Sequence, residues 1–141
     1  MDYLFNKNGQ ISIEYLITVG FIIFLIIGIL GVSLFYSSLI KDNIRMNHLR
    51  NFANKIISSA ESVFYAGEPS LVTITAYLPS GVQGIYIGGN QILVNISMAG
   101  GVNRISFLSN APLNGSIGKS EGVKKIKILA RRSDVNITET T

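Results

Sequence analysis

The chain has 141 residues, 48% of them hydrophobic and only 14% charged, with a net charge of +4 and no cysteine. A length of this order suggests one domain, and the lack of cysteine excludes disulfides, thiolate metal sites and cysteine nucleophiles. The charge is too mild and too scattered to argue for nucleic acid: Lys124, Lys125, Lys127, Arg131 and Arg132 read as solvated positions on a strand face and its edge.

The first element is a short leader, residues 1–9 (MDYLFNKNG), followed at once by QISIEYLITVGFIIFLIIGILGVSLFYSSLI. Residues 15–40 hold no charge in 26 positions, enough helix at about 1.5 Å per residue to cross a ~30 Å hydrocarbon layer. A core helix in so small a chain could not be apolar on every side for so long. Gly20, Gly28 and Gly31 lie inside this run, and glycine is common in membrane helices where neighbours approach closely. Residues 10–40 therefore read as a membrane-phase helix.

At Lys41 the pattern changes to a one-sided stripe of Ile44, Leu49, Phe52, Ala53, Ile56, Ile57, Ala60, Val63 and Phe64. Steps of three and four residues predict an amphipathic helix over 41–67, with Lys41, Asp42, Arg45, Arg50, Lys55 and Glu61 largely on the other side. No proline occurs between residues 11 and 68, so one helix of roughly 80 Å is expected, ending at Gly67-Glu68-Pro69. Beyond Pro69 the period becomes two. The segments 71–78, 82–87, 91–98, 102–109, 123–130 and 135–138 read as five to six short strands, separated by turns at Pro79-Ser80-Gly81, Gly88-Gly89-Asn90 and Asn114-Gly115. The expected fold class is α+β: a long N-terminal hydrophobic helix whose amphipathic C-terminal half packs on a small antiparallel β-sheet domain over 70–141.

Nothing in the sequence suggests catalysis or a cofactor. His48 is the single histidine and sits on the polar side of the helix as a solvated residue. Asp2, Asp42, Glu61, Glu68, Glu121, Asp134 and Glu139 show neither paired nor metal-ligand spacing. Gly88-Gly89 and Gly100-Gly101 follow strands without opening helices, so they do not cradle phosphate. Three N-x-S/T sequons, at Asn95, Asn114 and Asn136, all fall in the β-region and are candidate N-glycosylation sites.

The junction KNGQISIEY is the most specific signal. A secretory signal has a basic start, an apolar core and then a small-residue cleavage site; here a polar leader precedes the apolar run. Cutting between Gly9 and Gln10 would remove the leader and keep the helix on the mature chain. In this the chain resembles archaeal type IV pilins with a class III signal peptide, whose marker is Q-x-S-x-E-Y. Gln10, Ser12, Glu14 and Tyr15 match its four fixed positions, and Gly9 fits the residue before the cut. The motif covers six residues, and the β-region is similar to the family's only in general layout.

The resemblance implies cleavage by a prepilin peptidase and extraction from lipid by an assembly ATPase and membrane platform. Polymerisation with other pilin subunits into an extracellular pilus used for surface attachment would follow. Glu14, an acid at the edge of an apolar helix, costs about 2.5–3.5 kcal/mol deep in a bilayer. The resemblance gives it the role of pairing with the N-terminal amine of a neighbouring subunit; Gln10 can cyclise to pyroglutamate, and Glu14 would then need another partner, such as Ser12 or Tyr15 of a neighbour. The positive-inside rule alone would hold Lys41, Arg45, Arg50 and Lys55 in the cytoplasm, opposite to the orientation the resemblance implies. Two other readings share the architecture: a single-pass membrane-anchored extracellular binding module, and an archaellum filament subunit.

Overall fold

The computed structural model describes the backbone of residues 7–140 and the side chains of residues 13–140. A helix, α1 (Lys7–Ala66), is followed by strands β1 (Leu71–Leu78), β2 (Val82–Met98), β3 (Gly101–Ser116), β4 (Gly122–Ala130) and β5 (Val135–Thr140). The layout is α+β. The chain divides into two compact units, Met1–Ile40 and Lys41–Thr141.

The second unit holds the core. Leu49, Phe52, Ala53, Ile56, Ile57, Ala60 and Val63 of α1 are buried, and all but Ala53 form one cluster with Ile92, Val94, Ile96, Ile126, Ile128, Val135 and Ile137 of the sheet. The helical stripe is thus the face that the sheet covers. Its two ends escape: Ile44 is 49% exposed and Phe64 half-buried. The helix stops at Ala66, and Gly67 takes the left-handed φ of +82° that commonly ends helices.

Three residues assigned by the sequence to the far side of the helix instead flank the buried stripe and bond the sheet. Asp42 Oδ2 accepts from the Ala99 N–H at 2.9 Å, Lys55 Nζ donates to the Thr75 carbonyl at 2.6 Å, and Glu61 Oε1 accepts from the Asn110 N–H at 2.8 Å. These side chains reach backbone groups that a strand end (Ala99), the open edge of β1 (Thr75) and the irregular stretch of β3 (Asn110) leave without a ladder partner.

The sheet is mixed, not antiparallel, with order β1-β4-β5-β3-β2. Pairs β1·β4, β4·β5 and β2·β3 are antiparallel, whereas β3·β5 is parallel, with Leu113, Asn114, Gly115 and Ser116 opposite Val135, Asn136, Ile137 and Thr138. The topology explains this. The 117–121 connection carries the chain past one strand position, and β5, turned back on β4 through the Arg131 N–H to Asp134 carbonyl bond of 2.8 Å, fills the vacant place. A strand antiparallel to β4 in that slot must be parallel to β3.

Two sequence-stated turns lie inside strands. At Gly88-Gly89-Asn90 the strand β2 bends, with a register shift between Gly89 and Gln91 and φ +61° at Gly89. Its ends come side by side, the Ser97 N–H donating to the Gly81 carbonyl at 2.8 Å. Asn114-Gly115 belongs to β3 where it meets β5. A Cβ on Gly115 would overlap the Ile137 carbonyl, so glycine here serves close strand approach and not a turn.

Candidate functional site: the apolar helix and the outer sheet face

From Ile13 to Ile40, α1 presents large apolar side chains on every side, and all but the partly exposed Val19 are exposed: Phe21 61%, Phe24 71%, Leu34 74% and Phe35 67% among them. This is a helix long and apolar enough to cross a membrane. Two of its hydroxyls turn inward on the helix itself. Thr18 Oγ1 donates to the Glu14 carbonyl at 2.9 Å and Ser38 Oγ to the Phe35 carbonyl at 2.8 Å, which lowers the cost of those hydroxyls in a medium without water. Apart from the surrounding helix backbone, no atom comes within 4 Å of a Cβ built on Gly20, Gly28 or Gly31, so these positions offer flat places for a neighbouring helix. Glu14 and Tyr15 are both exposed. Glu14 is the lone charged residue between Ile13 and Ile40. The remaining junction residues, Gly9, Gln10 and Ser12, lie outside the residues whose side chains are described.

No family model, curated protein or solved structure matches the chain.

The sheet face turned away from α1 carries the three sequons. Val94 and Ile96, Leu113, and Val135 and Ile137 are buried. Strand alternation therefore sends Asn95, Asn114 and Asn136 to the opposite face. Their surroundings differ. Asn95 is half-buried and its Oδ1 accepts from Arg104 Nε at 3.2 Å. Asn136 is half-buried in the central strand, between Leu129 and Asn114. Asn114 is exposed. Beside these, Lys125 and Lys127 register with Thr75 and Thr73 on one side and with Thr140 and Thr138 on the other, a solvated basic strip of the kind the sequence suggests.

Lys124 departs from that reading. It is 5% exposed, on the same face of β4 as Ile126 and Ile128, while Val123 is 73% exposed. Its Nζ donates to Glu139 Oε1 at 2.7 Å and to Ser120 Oγ at 2.9 Å. The other carboxylate oxygen, Oε2, accepts the Gly118 N–H at 2.8 Å. The Lys124 hydrogen bond, and next the Gly118 N–H, hold the Glu139 carboxyl below its ordinary range. The signal was in the sequence, because the phase of Ile126 and Ile128 places Lys124 inside. At the β1 edge, His48 packs edge-on against Tyr77 with ring centroids 5.5 Å apart. The Tyr77 hydroxyl donates to Glu121 Oε1 at 3.1 Å, and this bond raises the pKa of the phenol.

Proposed function

We propose that the chain is a pilin-type filament subunit: inserted in the membrane by its apolar helix, cut before Gln10, and polymerised outside the cell with its β-unit displayed. One observation carries this reading. The 13–40 segment is apolar on all sides and exposed at all but two positions, Val19 and Ser37, and exposed apolar surface of that extent calls for lipid or other copies of the same helix. Lipid satisfies the precursor, and helix–helix packing satisfies the filament.

The residues divide the work. The small positions Gly20, Gly28 and Gly31 let helices approach, and the transfer from lipid to filament keeps the apolar surface away from water. Glu14 supplies the one charge that distinguishes the register in which neighbouring helices are paired from any slipped register. Within the second unit, the buried stripe from Leu49 to Val63 holds the end of α1 against the sheet. The prepilin peptidase, assembly ATPase and membrane platform are partners of this route, and attachment to surfaces is the activity it serves.

The test is the N-terminus of the protein in sheared surface filaments, read by mass spectrometry. A chain starting at Gln10 in the sheared fraction is expected. A chain starting at Met1 and confined to membranes would overturn the proposal in favour of a membrane-anchored binding module.

A further inference from the structure

At the end of the sheet where β2, β3 and β5 meet there is an open groove of about 650 Å³, lined by Tyr86, Gly88, Asn114, Ser116 and Asp134 among others. This volume is in the range of small-molecule clefts, roughly 300–1,000 Å³. Asn114 begins the sequon Asn114-Gly115-Ser116 and is exposed. Its neighbour across the antiparallel pair is Gly88, which has no side chain to cover it. The space above Gly88 is taken by the Tyr86 ring: a Cβ there would lie 2.7 Å from the phenol oxygen. Tyr86 is itself 63% exposed. An accessible acceptor amide, an exposed aromatic ring beside it and a carboxylate at the rim are thus brought into one concavity.

We infer that Asn114 is the glycosylated sequon and that the groove seats the first sugar of its own glycan. The reaction needs a lipid-phosphate-linked glycan as donor and a membrane glycosyltransferase. Asn114 Nδ2 forms a bond to the anomeric carbon, and the bond from that carbon to the phosphate oxygen breaks. The electron pair leaves on the lipid phosphate, and one amide proton passes to base; nothing is oxidised or reduced. The apolar face of the sugar ring then lies against Tyr86, which offers a flat surface with a polar tip, and its hydroxyls reach Asp134 and Ser116.

The same geometry disfavours the other two sequons. The Asn95 carboxamide is held by Arg104. Asn136 is the direct register partner of Asn114 in the parallel pair, so a glycan on Asn114 covers it. The inference rests on the part of the proposed function that puts the β-unit outside the cell, and not on polymerisation.

The experiment is glycopeptide mass spectrometry on the full chain from its own host, with Ser116→Ala and Tyr86→Ala variants. We expect occupancy at Asn114 alone. Ser116→Ala removes it with no gain at Asn95, whose carboxamide stays on Arg104. The glycosylated chain melts above Ser116→Ala by roughly 4 °C, and this difference disappears when both chains also carry Tyr86→Ala. An unoccupied Asn114, occupancy at Asn95 or Asn136 in its place, or a glycan-dependent shift unchanged by Tyr86→Ala would overturn the inference. Digestion of intact cells by external protease separates the causes: an unoccupied Asn114 in a chain whose β-unit is digested refutes the site alone, whereas a protected β-unit refutes the orientation as well.

Discussion

Replacing Gly115 with alanine tests the parallel pairing of β3 and β5 directly. If Asn114-Gly115 were a surface turn, the cost would be that of an alanine in a glycine conformation, about 1 kcal/mol. In the structure the new Cβ overlaps the Ile137 carbonyl, and relief requires β5 to move away from β3. Two fully buried side chains of β5, Val135 and Ile137, are then at stake, each contributing about 1.5–3 kcal/mol. The expected loss is therefore at least ~3 kcal/mol, because β5 lies between two strands and cannot shift without disturbing both ladders. For a unit of about 100 residues each kcal/mol lowers Tm by roughly 4–8 °C, so Gly115→Ala should melt at least ~12 °C below the parent chain. The assay is thermal denaturation of the full chain in detergent micelles, followed by the near-ultraviolet circular dichroism of its tyrosines. A decrease of ~8 °C or less would mean the turn energetics and would refute the central placement of β5.

Other substitutions address the remaining contacts. Glu139 has its folded pKa lowered below the ordinary value of 4.5, so the stability it contributes is fully present above that value and lost as pH falls through the folded pKa. Acid titration of Tm should accordingly fall more steeply below pH 4.5 for the parent chain than for Glu139→Gln, which starts lower at neutral pH because Lys124 keeps a buried charge without its carboxylate. Equal acid slopes would count against the pair. Glu61→Ala should cost about 1.5–3 kcal/mol, the range for hydrogen bonds to a charged group, and should speed hydrogen exchange at Asn110. Phe52→Ala should remove about 3–5 kcal/mol from the β-unit while leaving membrane insertion intact, as read by carbonate extraction. Glu14→Ala should leave insertion and leader removal unchanged and reduce the yield of sheared filaments; a normal yield would eliminate the proposed role of Glu14.

The helix was the most legible part of the chain. Spacing alone separates the all-round apolar residues 13–40 from the one-sided stripe, and seven of the stripe residues are buried as a single face. Strand positions were legible too, because period-two patterning persists wherever one face is covered. Strand order was not. Nothing local distinguishes β5 paired on one side from β5 paired on two, and the parallel contact arises from a vacant slot between β3 and β4 that exists only in three dimensions. Glycine misled at Asn114-Gly115 for a related reason: a residue without a side chain serves tight turns and close backbone approach equally well. The flanking residues Asp42, Lys55 and Glu61 were assigned to solvent because hydropathy says nothing of backbone groups awaiting a partner. Of the candidate sites, the three sequons were legible as a motif, but their ranking came only from register, with Gly88 opposite Asn114 and Arg104 opposite Asn95.

The central position of β5 also governs when the second unit can fold. In the order β1-β4-β5-β3-β2, removing β5 leaves two separate pieces, β1 with β4 and β3 with β2, with no ladder joining them. Closure of the sheet therefore waits for residues made after all the other strands, and until then neither half offers α1 a complete floor. A nascent chain that has not yet made β5 holds these two pieces unjoined. Any truncation before Val135 leaves it in that state permanently, with the apolar stripe of 49–63 uncovered and exposed to proteases.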